Sequence, residues 1–78
     1  MVGVIAATDR AVALERSAEG RRAIVAINTG DSPTTLQLPE GALDGLQRLQ
    51  ELEIGAARVA AANTLDLGER GAIVFVDD

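Results

Sequence analysis

"RRAIVAINTGDSP", residues 21–33, sets two arginines before five consecutive apolar residues and closes on Asn-Thr-Gly-Asp-Ser-Pro. An apolar run of five is too short for a buried helix. It fits a central β-strand covered on both faces. The polar stretch behind it has two readings. Loops of this kind hold phosphates or sugars in many enzymes, and the same residues turn an ordinary hairpin. No partner residues for a ligand site accompany this loop, which favours the turn. Gly30 would allow an unusual backbone angle, Asp31 and Ser32 would cap the turn through their side chains, and Pro33 would stiffen its exit. The chain would then return through TTLQLP, residues 34–39, with Leu36 and Leu38 inward and Pro39 ending the strand.

The flanks repeat this grammar. VGVIAA, residues 2–7, precedes the turn-like Thr8-Asp9-Arg10. AVALERS, residues 11–17, alternates with Val12, Leu14 and Arg16 on one face and Ala13, Glu15 and Ser17 on the other. Ala18-Glu19-Gly20 closes a hairpin, with Gly20 free to take positive φ. Residues 64–76 read as a second hairpin: Leu65 and Leu67 alternate, Gly68-Glu69-Arg70-Gly71 turns, and AIVFV runs back. Residues 41–63 are rich in helix formers, yet Gly45 and Gly55 interrupt them and Leu43, Leu46, Leu49 and Leu52 recur every three residues, a spacing that drifts around a helix. Strands near 49–54 and 57–60 are the expectation there, with a helix as the alternative. Turns at roughly ten-residue spacing predict an all-β, small antiparallel β-sandwich of Greek-key type, with about 6–8 strands.

Seventy-eight residues provide for a single domain, 1–78, with a thin core. Fourteen of the hydrophobic residues are Ala, there is no Cys, and Phe75 is the one aromatic side chain. The residues expected to determine the fold are Val12, Leu14, Ile24, Val25, Ile27, Leu36, Leu38, Leu65, Leu67, Ile73, Val74 and Phe75. Truncating Ile27 or Phe75 to Ala is predicted to cost roughly 2–5 kcal/mol.

The net charge of −5, with no basic run beyond Arg21-Arg22, argues against a nucleic-acid partner. A membrane partner is not expected either: there is no signal-peptide pattern, and no apolar run nears the ~20 residues of a helical span. The sequence does not indicate a compartment. Without His or Cys, the usual zinc sites, thiol nucleophiles and His-based triads are excluded. A carboxylate pair remains, with Asp9, Glu15, Asp31 and Asp66 as candidates by residue type, each read as a solvated surface group. Asn28, Asp31 and Ser32 form a weak set for calcium, and the missing Lys excludes a P-loop. Sugar sites usually offer aromatic faces. Trp and Tyr are absent, and Phe75 lies within an apolar strand. The expectation is no catalytic, cofactor-binding or metal-binding residue, and no cofactor.

AVALERSAEGRRAIVAINTGDSPTTLQLP, residues 11–39, resembles the start of the C-terminal β-domain of the α-amylase family, glycoside hydrolase family 13. There, a strand ending in Arg is followed by an acidic-Gly turn and an apolar strand closing on Asn. A second turn and an alternating strand ending in Leu-Pro come next. NTLDLGERGAIVFV, residues 63–76, resembles the family's last hairpin. The family usually places aromatics in the strand closing on Asn, the turn after it and the middle segment; this sequence has none there, and its middle, residues 41–63, is unusually rich in Ala and Leu. The resemblance implies a non-catalytic accessory domain that packs against the catalytic TIM barrel of an α-glucan-acting enzyme and stabilises it. Acid, nucleophile and substrate subsites would lie on that barrel, outside this chain. The implied partner is the barrel domain, with a homo-oligomer as a further possibility. The alternative is a free-standing small β-sandwich that serves as a binding or oligomerisation module.

Overall fold

Among the described residues eight strands follow one another: β1 (Val2–Ala7), β2 (Ala11–Ala18), β3 (Arg21–Asn28), β4 (Thr34–Gln37), β5 (Leu46–Arg48), β6 (Ala57–Ala61), β7 (Thr64–Leu67) and β8 (Ala72–Asp77). The structure, a computed structural model, describes residues 2–49, 53–61 and 63–77. All pairings between strands are antiparallel, in a five-stranded sheet of order β1-β2-β3-β8-β5 and a three-stranded sheet of order β4-β7-β6. The all-β sandwich and its strand number match the expectation.

Local chemistry accounts for the first two turns. The Thr8 amide donates to the Ala11 carbonyl at 2.8 Å, and the Thr8 hydroxyl accepts the Ala11 amide at 3.1 Å. Between β2 and β3 the loop is Glu19-Gly20, with φ of 54° and 79°. Positive φ at both positions gives the turn whose twist matches the paired strands. It locks a register running from Ala18 opposite Arg21 to Ala11 opposite Asn28.

The two later turns differ from expectation. β3 pairs with β2 and β8, while β4 pairs with β7, so residues 29–33 carry the chain from one sheet to the other and close no hairpin. Residues 68–71 likewise lead from β7 in the small sheet to β8 in the large one. The two crossovers lie side by side. Asn28, 1% exposed, joins them: its Nδ2 donates to the carbonyls of Ser32 (2.9 Å), Leu67 (3.3 Å) and Gly68 (2.9 Å), and its Oδ1 accepts the Gly30 amide at 2.9 Å. The Asn28 amide reaches Gly71 O at 2.8 Å, and the Arg70 amide reaches Gly30 O at 3.1 Å. The turn is therefore organised by Asn28, and the Asp31 side chain faces Arg70 at 3.0 Å. Gly30 does not take the positive φ expected of it; a Cβ there would lie 2.6 Å from Arg10 Cδ and 3.0 Å from Arg10 Cβ, so the Arg10 side chain would have to move.

The middle segment is strand and turn throughout its described part. β5 begins earlier than expected, at Leu46, and Ile54 adds a single bridge to Ala72. β6 covers the expected second strand. The expected strand at 49–54 falls partly outside the described residues.

The core forms where the sheets face each other. Leu36, Leu38, Leu65 and Leu67 from the small sheet and its flank meet Ala11, Ala13, Ile24, Ala26, Ile73 and Phe75 from the large one. Leucines thus oppose a surface that is largely alanine on β2, and large against small is how facing layers interdigitate. Seven of the twelve expected fold-determining residues are buried here. Val12, Leu14, Val25, Ile27 and Val74 are half-buried and lie on the opposite face of the large sheet. Among the described residues β3 is thus packed against a second layer on one face only, contrary to the two-sided burial its unbroken apolar run implies.

A measurable consequence concerns Ile27, whose partners across the sheet are Val12 and Ala72. Ile27→Ala in the 78-residue chain is expected to cost only about 1–1.5 kcal/mol, because a half-buried side chain loses part of the full transfer term. Urea unfolding checks this; a loss above about 3 kcal/mol would show the face to be covered.

Candidate interaction surface

The carboxylates singled out by residue type are separated by the fold. Glu15 lies on the core side of β2 and pairs with Arg22 (Nη2 to Oε2, 2.8 Å), which also donates to Ala42 O at 2.7 Å. Asp31 pairs with Arg70 at 3.0 Å. Asp66 lies on the outer side of the small sheet, where its Oδ1 accepts the Thr35 hydroxyl at 2.9 Å and its Oδ2 accepts Arg58 Nε at 3.1 Å. Asp9 is exposed at the first turn. Each of the three engaged carboxylates therefore serves its own arginine. Among the described residues no group of three or more Asp or Glu is placed to hold a metal ion. Of the weak calcium set, Asn28 spends both side-chain polar atoms on the crossovers.

An open cleft runs between β4 and β6, bordered by Thr35, Arg58 and Asp66. These three bond to one another across the strands, so the cleft has few polar groups free for a ligand. Phe75, the one aromatic side chain, is 4% exposed and presents no ring face to a sugar.

One ion pair shifts its members. Arg48 on β5 bonds Glu53 through Nε and through Nη2 (2.8 Å to Oε1), and Nη2 also reaches Ala57 O at 2.7 Å. The hydrogen bonds from Arg48 hold the Glu53 carboxyl below its ordinary range, against the opposing effect of desolvation, and Glu53 in turn raises Arg48. The pair ties the residue before Ile54 and the start of β6 to the large sheet. Its geometry is that of a structural clamp.

Among the described residues no layer packs over the outer face of the large sheet. Strand pairing sets its side chains in three rows. The middle row runs Val4, Leu14, Val25, Val74. Beside it run Ala7, Val12, Ile27, Ala72 and Ile54. The third row is Val2, Arg16, Ala23, Val76 and Gln47. Val2, Val4 and Ile54 are 62%, 63% and 64% exposed. At strand positions this face is apolar except for Gln47, Arg16 and Arg21, the last paired with Ala18 at the hairpin end. Among the described residues no carboxylate occupies a strand position on it.

This face was legible in the sequence in one respect. AIVAI is apolar at every position, so both faces of β3 were expected to be covered. The alternation in AVALERS separated Val12 and Leu14 from Ala13 correctly, but side-chain size favoured the wrong set as core. Comparison with protein-family models, with curated proteins and with solved structures finds no match to this chain.

Proposed function

We propose that this chain is a non-catalytic accessory domain, the C-terminal β-domain of an α-amylase-type glycoside hydrolase. In this reading the outer face of its large sheet packs against the catalytic barrel and stabilises it. The observation that carries the reading is the apolar outer face, which the described chain leaves open. Contiguous apolar surface of this kind marks interaction sites. The resemblance of residues 11–39 and 63–76 to the family's C-terminal domains, in order, names the partner. Catalysis on the α-glucan belongs to the barrel in this reading.

Magnitudes favour a tethered partner over a second copy. Five strands about 4.8 Å apart and some six residues long make a patch of roughly 20 by 20 Å, or about 400 Å² on each side. A stable free dimer usually needs about 800 Å² per partner, whereas interfaces between domains of one chain are often smaller. A free-standing oligomerising module is the second reading, and β1 is what favours it. This edge strand carries no charge and no proline, and its guard against edge pairing is the register shift between Val4 and Ala6.

The coding sequence upstream of Met1 separates the two. A TIM-barrel region there is expected. Removing residues 1–78 from that parent should lower its melting temperature by at least about 5 °C, since barrel surface is then exposed. An independent reading frame whose product sediments as a stable dimer would overturn the proposal in favour of the module.

A further inference from the structure

Among the described aspartates, Asp44 alone joins an unengaged carboxylate to an unengaged amide on a following glycine. Its side chain makes no hydrogen bond or ion pair among the described residues, and the Gly45 amide donates to no acceptor there. Both residues are exposed. The Leu46 amide donates to Leu43 O at 3.1 Å and Gly45 has a φ of 77°, so Asp44 and Gly45 are the two central residues of a turn. A Cβ on Gly45 would meet nothing within 4 Å. The other described aspartates each lack one of these features. The amide after Asp9 goes to the Thr8 hydroxyl at 3.3 Å. Asp31 is held by Arg70, Asp66 by Thr35 and Arg58, and Asp77 by the Arg22 amide.

We infer that the Asp44–Gly45 peptide is a site of spontaneous backbone modification, where aspartate converts to isoaspartate through a cyclic imide, and that the product frees β5 from the large sheet. The Gly45 nitrogen attacks Cγ of Asp44 in its neutral carboxyl form. A C–N bond forms, the carboxyl hydroxyl leaves with the amide proton as water, and a five-membered imide results. Water then adds at one of the two imide carbonyls. Addition at Cγ restores aspartate, whereas addition at the former main-chain carbonyl leaves the chain running through Cβ and Cγ. Ring closure is intramolecular, because the nitrogen and the carbon it attacks belong to adjacent residues. Glycine at the following position brings no Cβ to the forming ring and turns readily in φ. At the other aspartates a bonded amide or a paired carboxylate must be released first, which protects them. The consequence falls on β5, which starts directly after the turn, has three residues, and pairs with β8 alone. An extra main-chain carbon just ahead displaces its short register of Leu46 with Asp77, Gln47 with Val76 and Arg48 with Phe75. Arg48 moves with it, and its hold on Glu53 and Ala57 O is lost.

The test ages the 78-residue chain at 37 °C and pH 7 and locates isoaspartate by peptide mapping and mass spectrometry. The product is expected at Asp44 at a rate within about threefold of that in a synthetic peptide of residues 41–48, and at least about tenfold faster than at Asp9, Asp31, Asp66 or Asp77. Asp44→Glu, whose imide would need a six-membered ring, should stop it, while Asp31→Glu should leave it unchanged. Trypsin under native conditions should cut the isoaspartyl fraction after Arg48 about tenfold faster than the fresh chain, because a detached β5 exposes that bond. A rate at Asp44 more than about tenfold below the peptide's would show that the folded turn blocks ring closure, and would overturn the site. Isoaspartate at Asp44 with unchanged cutting at Arg48 would overturn the release of β5.

Discussion

Phe75→Ala is expected to leave the chain largely unfolded at 37 °C, or to lower its melting temperature by more than about 12 °C. Phe75 is 4% exposed and lies in the core cluster, opposite Ile24 on one neighbouring strand and Arg48 on the other. Truncating a buried Phe costs about 3–5 kcal/mol, from lost transfer energy and from the cavity left behind. A domain of this size has only about 4–12 kcal/mol of total stability, and each kcal/mol moves the midpoint by about 4–8 °C. The alanine-rich surface of β2 has no larger side chain with which to refill the space. Thermal and urea unfolding followed by circular dichroism measure the loss. A midpoint within 3 °C or so of the parent would remove Phe75 as the core anchor.

Asn28→Ala is the second large effect, expected to cost roughly 2–4 kcal/mol. The substitution deletes the bonds to Ser32 O, Leu67 O, Gly68 O and the Gly30 amide, and leaves those groups at a site that water reaches poorly. A buried unsatisfied group costs more than the net worth of the bond it had. Asn28→Asp tests whether donation is what counts, because it keeps the shape but turns a carboxylate toward carbonyl oxygens. Burial raises the folded-state pKa of that carboxyl above its unfolded value. The penalty is therefore absent at low pH, where both states are protonated, and appears as pH rises past the unfolded pKa. Asn28→Asp should accordingly be least stable near pH 7 and recover toward pH 4, relative to the parent at each pH. An Asn28→Asp variant as stable as the parent at pH 7 would show that the amide donors do not hold the crossovers together.

Strand identity was readable locally. TTLQL, TLDL and AIVFV declared themselves by alternation or by an unbroken apolar run, and Glu19-Gly20 by its turn chemistry. The candidate surface was half readable. The apolar positions of β3 announced that both faces want cover, but nothing local says that the described residues pack a layer over one of them alone.

Local sequence specifies an all-β chain, its turn positions and most of its strands, because backbone preference and side-chain alternation act over a few residues. Tertiary structure alone decided which strands pair and which face is inside. Residues 29–33 and 68–71 use the same glycine-rich turn grammar as a hairpin, yet both cross between sheets. What holds them so is a buried Asn28 bonded to Leu67 O and Gly68 O, some forty residues away. Ala11 and Ala13 went inward in place of Val12 and Leu14 because four leucines on the opposing layer already fill the space between the sheets. Packing density, which depends on both layers at once, outweighed the hydrophobicity of either strand read alone.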